Sequence, residues 1–408
     1  MGARRAWLWR NKSLWTETQT RPPVLLVDVS AIIRHDAQTG IQRVVRAVWS
    51  ELSKRDGDGF LVKPVYATNR QGYCYAPFDF LENRFLRLGG EPVNMGPGDQ
   101  FLGLDLSAHL LPKYRQQLRA WRKFGGTISV VVYDLLPLQQ PHWFNDATAG
   151  HFRRWIRLVA EDVDQAICIS DQVARDLKRE LGVDTPVQIG RLFMGGDISA
   201  SRPSIGLSAA VKHALRTMNG RNAVLMVGTV EPRKGYEVAL AAFEHLWRAD
   251  PDNAPDLVII GKSGWKTSKL QLAIRSHPEL GKRLHWLDRV SDEGLCLFYE
   301  ATRGLLVTSR GEGFGLPLIE AAAHRRRVLA RDLAVFREQS LPNVMYFSDD
   351  RPVQLGERLN EFLRVSSETP TPAVHLSSWS ECVDRLLVGL GWHKNECVAQ
   401  EWRLKRAS

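Results

Sequence analysis

Two glutamates with seven residues between them, Glu312 and Glu320, and two adjacent cations, Arg233 and Lys234, have types and spacing that could do chemistry. Glu312 stands among three glycines in Ser309-Arg-Gly-Glu-Gly-Phe-Gly-Leu-Pro-Leu-Ile-Glu320, and the apolar run Gly304 to Thr308 leads into it. The pattern predicts a strand, a tight glycine turn and a helix starting near Leu316, with Pro317 in the first turn, where proline is tolerated. Such a turn aims free backbone N–H groups and the positive end of a helix dipole at whatever lies above the sheet. Gly313, Phe314, Gly315 and Leu316 are the candidate backbone donors. Carboxylates placed there are poor ligands for phosphate and good acceptors for sugar hydroxyls. A ligand carrying both phosphate and polyol fits; a purely structural strand-to-helix turn is the competing reading.

Arg233 and Lys234 follow another apolar run, Ala223 to Gly228, and precede a helical run in which Tyr236, Leu240, Phe243 and Trp247 share one side. Two cations before a helix N-terminus suit a diphosphate, which they would clamp through charge-assisted hydrogen bonds. Surface charges in a loop are the alternative. Further forward, the strand-like run after Pro23 passes through a polar loop to Gly40, which opens a helix with Ile41, Val44, Val48 and Leu52 on one face. This turn could hold phosphate, but it lacks the three-glycine dinucleotide fingerprint, which argues against a nicotinamide cofactor. The run Thr127 to Tyr133 ends at Asp134. Ligands bind at strand C-terminal ends in open parallel sheets, so Tyr133 and Asp134 are expected to face a cleft. Capping a turn is the simpler use of Asp134.

The string from Glu312 to Glu320 resembles the E-x7-E signature of retaining glycosyltransferases of the GT-B fold, glycosyltransferase family 4 (glycosyl transferases group 1, mannosyltransferase-like). The resemblance covers about residues 24 to 390 and is stronger in the second half. It implies an α/β protein of two Rossmann-like, doubly wound parallel-sheet domains facing a central cleft. It also implies that Lys234 and Arg233 clamp the diphosphate of a nucleotide-sugar donor. Gly40 would touch the donor phosphate or the acceptor, and the backbone near Val290 would pair with the base. Glu312 would orient the transferred sugar and Glu320 would hold the ribose. Asp134 falls on the family's histidine–aspartate pair, with Tyr133 in the histidine's place. Where relatives carry Gly-x-Pro, this chain has Arg325-Arg326-Arg327, which implies altered packing and added charge near the cleft.

No Asp-x-Asp element stands on a convincing loop, so transfer is expected to need neither metal nor cofactor. The expected donor is a GDP-sugar such as GDP-mannose or a 6-deoxy relative, with UDP- and dTDP-sugars open. A glycan or lipid-linked glycan in bacterial surface polysaccharide or O-antigen assembly is the expected acceptor. Other readings stay open: a sugar-nucleotide epimerase or phosphorylase of the same fold, a hydrolase using paired carboxylates, or a non-catalytic nucleic-acid- or membrane-binding protein.

A chain of 408 residues suits two domains. The reading places a basic extension at 1–22, an acceptor domain at 23–203, a donor domain at 204–375, and a helix crossing back with a basic tail at 376–408. The turn-rich stretch Gly195 to Ser204 is the linker. No apolar run is long enough to span a bilayer, and the first ten residues lack a signal-peptide core. Five scattered cysteines, none in a Cys-x-x-Cys pair, indicate neither a disulfide framework nor zinc and fit a reducing cytoplasm. A net charge of +10 calls for an acidic partner. Nothing resembles a nucleic-acid-recognition motif. The basic, tryptophan-bearing ends (Arg4, Arg5, Trp7, Trp9 and Arg10; Trp402, Arg403, Lys405 and Arg406) suit peripheral contact with the anionic inner face of a membrane. A merely solvated basic surface is the alternative.

Overall fold

A computed structural model describes residues 21–36, 39–82, 89–197, 203–218, 222–364 and 376–392. The two basic ends and part of the linker lie outside the described residues.

The first sheet comprises β1 (Val24–Asp28), β2 (Leu61–Tyr66), β3 (Cys74–Tyr75), β4 (Gln100–Gly103), β5 (Thr127–Val132), β6 (Gln165–Cys168) and β7 (Gln188–Arg191). Their order is β3-β2-β1-β4-β5-β6-β7, all parallel except the β2–β3 pair. The second sheet holds β8 (Ala223–Val227), β9 (Asp256–Ile260), β10 (Leu284–Leu287), β11 (Gly304–Val307), β12 (Arg327–Arg331) and β13 (Val344–Phe347). Its order is β10-β9-β8-β11-β12-β13, with every pairing parallel. Strands such as β1 and β9 are buried along their whole length, because helices cover both faces, and they read as apolar runs with a single aspartate at one end. Each sheet is wound outward in both directions from its first strand. The winding reverses between β1 and β4 and between β8 and β11, where doubly wound sheets open a crevice for ligands.

Six helices bear on the site: α1 (Gly40–Leu52), α2 (Asp171–Leu181), α3 (Tyr236–Ala249), α4 (Asp292–Ala301), α5 (Leu316–Ala323) and α6 (Trp379–Gly389). Thr39 and Gln42 form a reciprocal capping box that fixes where α1 begins. Val44, Val48 and Leu52 of its apolar stripe are buried, as are Tyr236, Leu240, Phe243 and Trp247 of α3. The strands β3 and β13 have no strong signature in the sequence. One is two residues long, and the other is an edge strand with three partly exposed residues.

The last helix, α6, lies on α1 of the first domain. Arg55 pairs with Asp384 at 2.7 Å, and Gln165 donates to the Gly389 carbonyl at 2.9 Å. Trp379 leads this crossing. A Cβ on Gly195 would lie 2.6 Å from its indole, so only glycine lets the two chains pass.

The three arginines after α5 correct one expectation. Arg327 opens β12 at its N-terminal end, the end of the sheet away from the crevice. Its guanidinium donates to the Phe362 carbonyl and stacks on the Phe362 ring. Arg325 sits at φ 54°, a left-handed conformation that glycine adopts freely and arginine does not. None of the three arginines borders the cavity between the domains, so the expected added charge near the cleft is not there.

Candidate active site

Between the C-terminal edges of the two sheets lies a cavity of about 640 Å³, bordered by both domains. That is a volume suited to a substrate-sized ligand. The walls come close at Gly313, where a Cβ would lie 1.9 Å from the Tyr133 carbonyl oxygen. Across the same gap, the Trp265 indole donates to the Trp143 carbonyl at 2.7 Å. Glu338 of the second domain accepts the first two amides of α2 at 3.1 and 3.0 Å. The domains are thus closed on each other.

Every residue that the sequence nominated borders this cavity. From the first domain come Gly40 and Asp134. From the second come Arg233, Lys234 and Val290, then Glu312 to Leu316, and Glu320. Gly315 takes φ 96° and ends the turn. No side chain caps α5; Pro317 has no N–H and the Leu318 amide donates to the Gly315 carbonyl at 3.0 Å, so the amides at Gly315 and Leu316 are the candidate donors of this turn.

The cation pair is held by tertiary contacts. The Thr308 hydroxyl donates to the Lys234 carbonyl at 2.8 Å, and the Arg310 amide donates to the Arg233 carbonyl at 2.7 Å. Both side chains then turn onto Glu312: Lys234 Nζ is 2.5 Å from one carboxylate oxygen and Arg233 is 2.6 Å from the other. The Ser309 hydroxyl donates to Glu312 at 2.7 Å. Burial pushes the Glu312 carboxyl up, but Arg233 and Lys234 outweigh it and hold the group at about 2. Arg233 also pairs with the buried Glu231 at 2.7 Å. Burial would lower the guanidinium's pKa, but Glu312, Glu231 and Asp134 raise it instead.

Asp134 serves both of its readings at once. One oxygen accepts the Leu136 amide at 3.1 Å, which caps a short turn, and the residue also borders the cavity. Burial raises its carboxyl and Arg233 opposes the rise. Tyr133 borders the cavity as well, but its hydroxyl turns away and donates to the Leu104 carbonyl, just past β4, at 2.7 Å. It is the Tyr133 main-chain carbonyl that approaches Gly313.

Glu320 is buried on α5. Arg43 of α1 donates to one of its oxygens, and the Tyr299 hydroxyl donates to the other at 2.9 Å. Arg43 also reaches Asp292 at 2.9 Å. Sequence reasoning missed Arg43, Asp292 and Glu231. In the first two cases a signal was present, because Arg43 lies in the first turn after Gly40 and Asp292 lies two residues beyond Val290. Among the described residues, no group of three or more His, Cys, Asp or Glu side chains could hold a metal ion. Among the same residues, no helix is long and apolar enough to cross a membrane.

Comparison with known proteins bears first on the second domain. Residues 210–370 match the family described as glycosyl transferases group 1. The chain carries a group 1 glycosyltransferase domain. It is 38% identical over 378 residues to the serotype-specific mannosyltransferase WbdA of Escherichia coli, covering 90% of this chain and 45% of that protein. The chain thus spans about half the length of the curated relatives it matches most extensively. It is also 23% identical over 242 residues to the O-antigen chain mannosyltransferase RfbU of Salmonella typhimurium, covering 59% of each. Among solved structures, Anabaena Alr3699/HepE in complex with UDP and glucose superposes with a TM-score of 0.61 at 14% identity, over 91% of this chain and 100% of that one. The fold is GT-B.

Proposed function

We propose that this protein is a retaining glycosyltransferase that moves mannose or a 6-deoxyhexose from a GDP-linked donor to a glycan or lipid-linked glycan. Its setting is the assembly of a bacterial surface polysaccharide such as an O-antigen. The observation that carries this reading is the meeting of Arg233, Lys234, Glu312 and the open N-terminus of α5 in one interdomain cavity. The names of WbdA and RfbU support mannose as the sugar and, for RfbU, the O-antigen as the product.

The chemistry follows from charge. When the bond between the anomeric carbon and the diphosphate oxygen breaks, negative charge grows on the leaving diphosphate and positive charge on the sugar ring. Arg233, Lys234 and the amides at Gly315 and Leu316 are placed to stabilise the first. Fixed donors and charges of this kind lower a barrier by several kcal/mol (about 3 for a single donor). No metal ion is needed for that role. The acceptor hydroxyl oxygen bonds to the anomeric carbon on the face that the diphosphate leaves. Its proton passes to the departing diphosphate oxygen, so configuration is retained and charge balances without a protein base. In this reading Glu312 gives up its cations to the diphosphate and turns to the hydroxyls of the transferred sugar. Glu320 takes the ribose, the backbone at Val290 takes the base, and Gly40 and Asp134 face the transfer from the first domain. The basic ends would rest on the anionic inner face of the cytoplasmic membrane.

The test is a panel of GDP-, UDP- and dTDP-sugars, read first by thermal stabilisation. A ligand at 100 times its Kd adds about 2.7 kcal/mol, a readable change in melting temperature. Stabilisation by a GDP-sugar and product formation only with acceptor present support the reading. Turnover of a sugar nucleotide with no acceptor would indicate an epimerase, and no response to any member would remove the reading.

A further inference from the structure

The carboxylate assigned to the ribose is held from the opposite domain. Arg43 projects from the first turn of α1, its side chain 16% exposed, and pairs with both Glu320 and Asp292 of the second domain. The other Asp292 oxygen accepts the Ser204 amide and hydroxyl, both at 2.9 Å, where the chain enters the second domain. Tyr299, fully buried, donates to the second oxygen of Glu320. One guanidinium thus serves two carboxylates at the wall of the donor cavity, and Arg43 and Glu320 are 277 residues apart in the chain.

We propose that Arg43 is a specificity-determining residue that fixes Glu320 for the two ribose hydroxyls, so that the ribose is read only where the two domains meet. This rests on the reading of Glu320 as the ribose ligand. A carboxylate has about four acceptor sites, two on each oxygen. Arg43 occupies a site on one oxygen and Tyr299 a site on the other, which leaves each oxygen able to accept one more donor. A vicinal diol supplies two. With Arg43 in place the carboxylate cannot turn away, and its charge is partly offset before an anionic ligand arrives. Without Arg43, Glu320 and Asp292 face the ligand with no shared cation, and Glu320 keeps only its bond from Tyr299.

Isothermal titration of the full chain with GDP and 2′-deoxy-GDP, repeated with UDP and 2′-deoxy-UDP, tests this. Wild type should prefer the ribonucleotide about tenfold or more. Arg43→Ala should weaken ribonucleotide binding at least tenfold and bring the preference below twofold, and Arg43→Lys should restore part of it. Lys234→Ala should instead weaken ribo- and deoxyribonucleotide alike, with the preference intact. If Arg43→Ala fails to fold, Arg43→Gln asks the same question. A folded Arg43→Ala or Arg43→Gln that keeps the wild-type preference would leave Arg43 a mere strut and overturn the proposal. Wild type that binds nucleotides without a ribose preference would overturn it too. Wild type that binds none of the four would remove the donor reading itself, a separate failure.

Discussion

Glu312 neutralises the two cations that a diphosphate would need, and this gives Glu312→Gln an unusual expected outcome. Its oxygens lie 2.5 and 2.6 Å from Lys234 Nζ and Arg233. A phosphate oxygen drawn to the same cations would come within about 5 Å of the carboxylate, where two unit charges repel by about 3 kcal/mol at an effective dielectric of 20. Relaxation of Glu312 toward the sugar relieves part of this. A gain of about 1 to 3 kcal/mol for free GDP is therefore expected on Glu312→Gln, or roughly 5- to 150-fold tighter binding. The same change leaves the half-buried Lys234 without its carboxylate and Arg233 with Glu231 alone, so the protein without nucleotide should lose about 1 to 3 kcal/mol of stability. Turnover should move the other way, with kcat lower by about two orders of magnitude or more, near 2.7 kcal/mol, because on the proposed reading residue 312 would lose its charged contact with the donor sugar. The Glu312 carboxyl is held at about 2, below its ordinary 4.5. Its stabilising contribution is thus complete above pH 4.5 and lost as pH falls toward 2, so the difference between mutant and wild type should not change between pH 5 and 8. Titration calorimetry with GDP, melting curves and steady-state kinetics read the three quantities. If GDP binds Glu312→Gln more weakly than wild type, the reasoning is wrong, and Glu312 is not what competes with the diphosphate.

On the proposed reading activity should persist in excess EDTA, because Arg233 and Lys234 would offset the leaving charge; loss with EDTA, restored by magnesium or manganese, would refute this. A further prediction concerns Asp105, 4% exposed, whose carboxyl burial and the nearby Asp28 push up to about 7. Its folded value exceeds its unfolded 3.8, so the folded state holds the extra proton and stability should fall as pH rises from about 4 to 7. Asp105→Asn removes this pH dependence, which amounts to at most about 4 kcal/mol across that range. Urea melts at pH 5 and pH 8 should therefore differ less for the variant than for wild type, and an unchanged difference would place the titration elsewhere.

The strand, glycine turn and helix around Glu312 were legible in the sequence because their causes are local. Alternating glycines, a proline in the first helical turn and an apolar run fix that geometry within about twenty residues. The same holds for the capped start of α1 and for the stripe of α3, and regular strand–helix alternation is enough to imply two parallel sheets. Sequence also placed both glutamates and both cations at the crevice, since strand ends in such sheets point one way. What it could not give were the pairings between these groups. Lys234 and Glu312 are 78 residues apart, and only the adjacency of β8 and β11 brings them together. That adjacency turned an expected phosphate clamp and a separate sugar ligand into one ion-paired cluster. The Tyr133 hydroxyl points inward because the Leu104 carbonyl accepts it there, a fact of packing that no local pattern encodes. Arg43 reaches Glu320 only because the domains close, and Gly195 is needed only because Trp379 returns across it. Local propensity and periodicity determined the elements and the chemistry each could carry. The contacts across the cleft, which depend on where two separately folded sheets come to rest against each other, were decided by the tertiary structure.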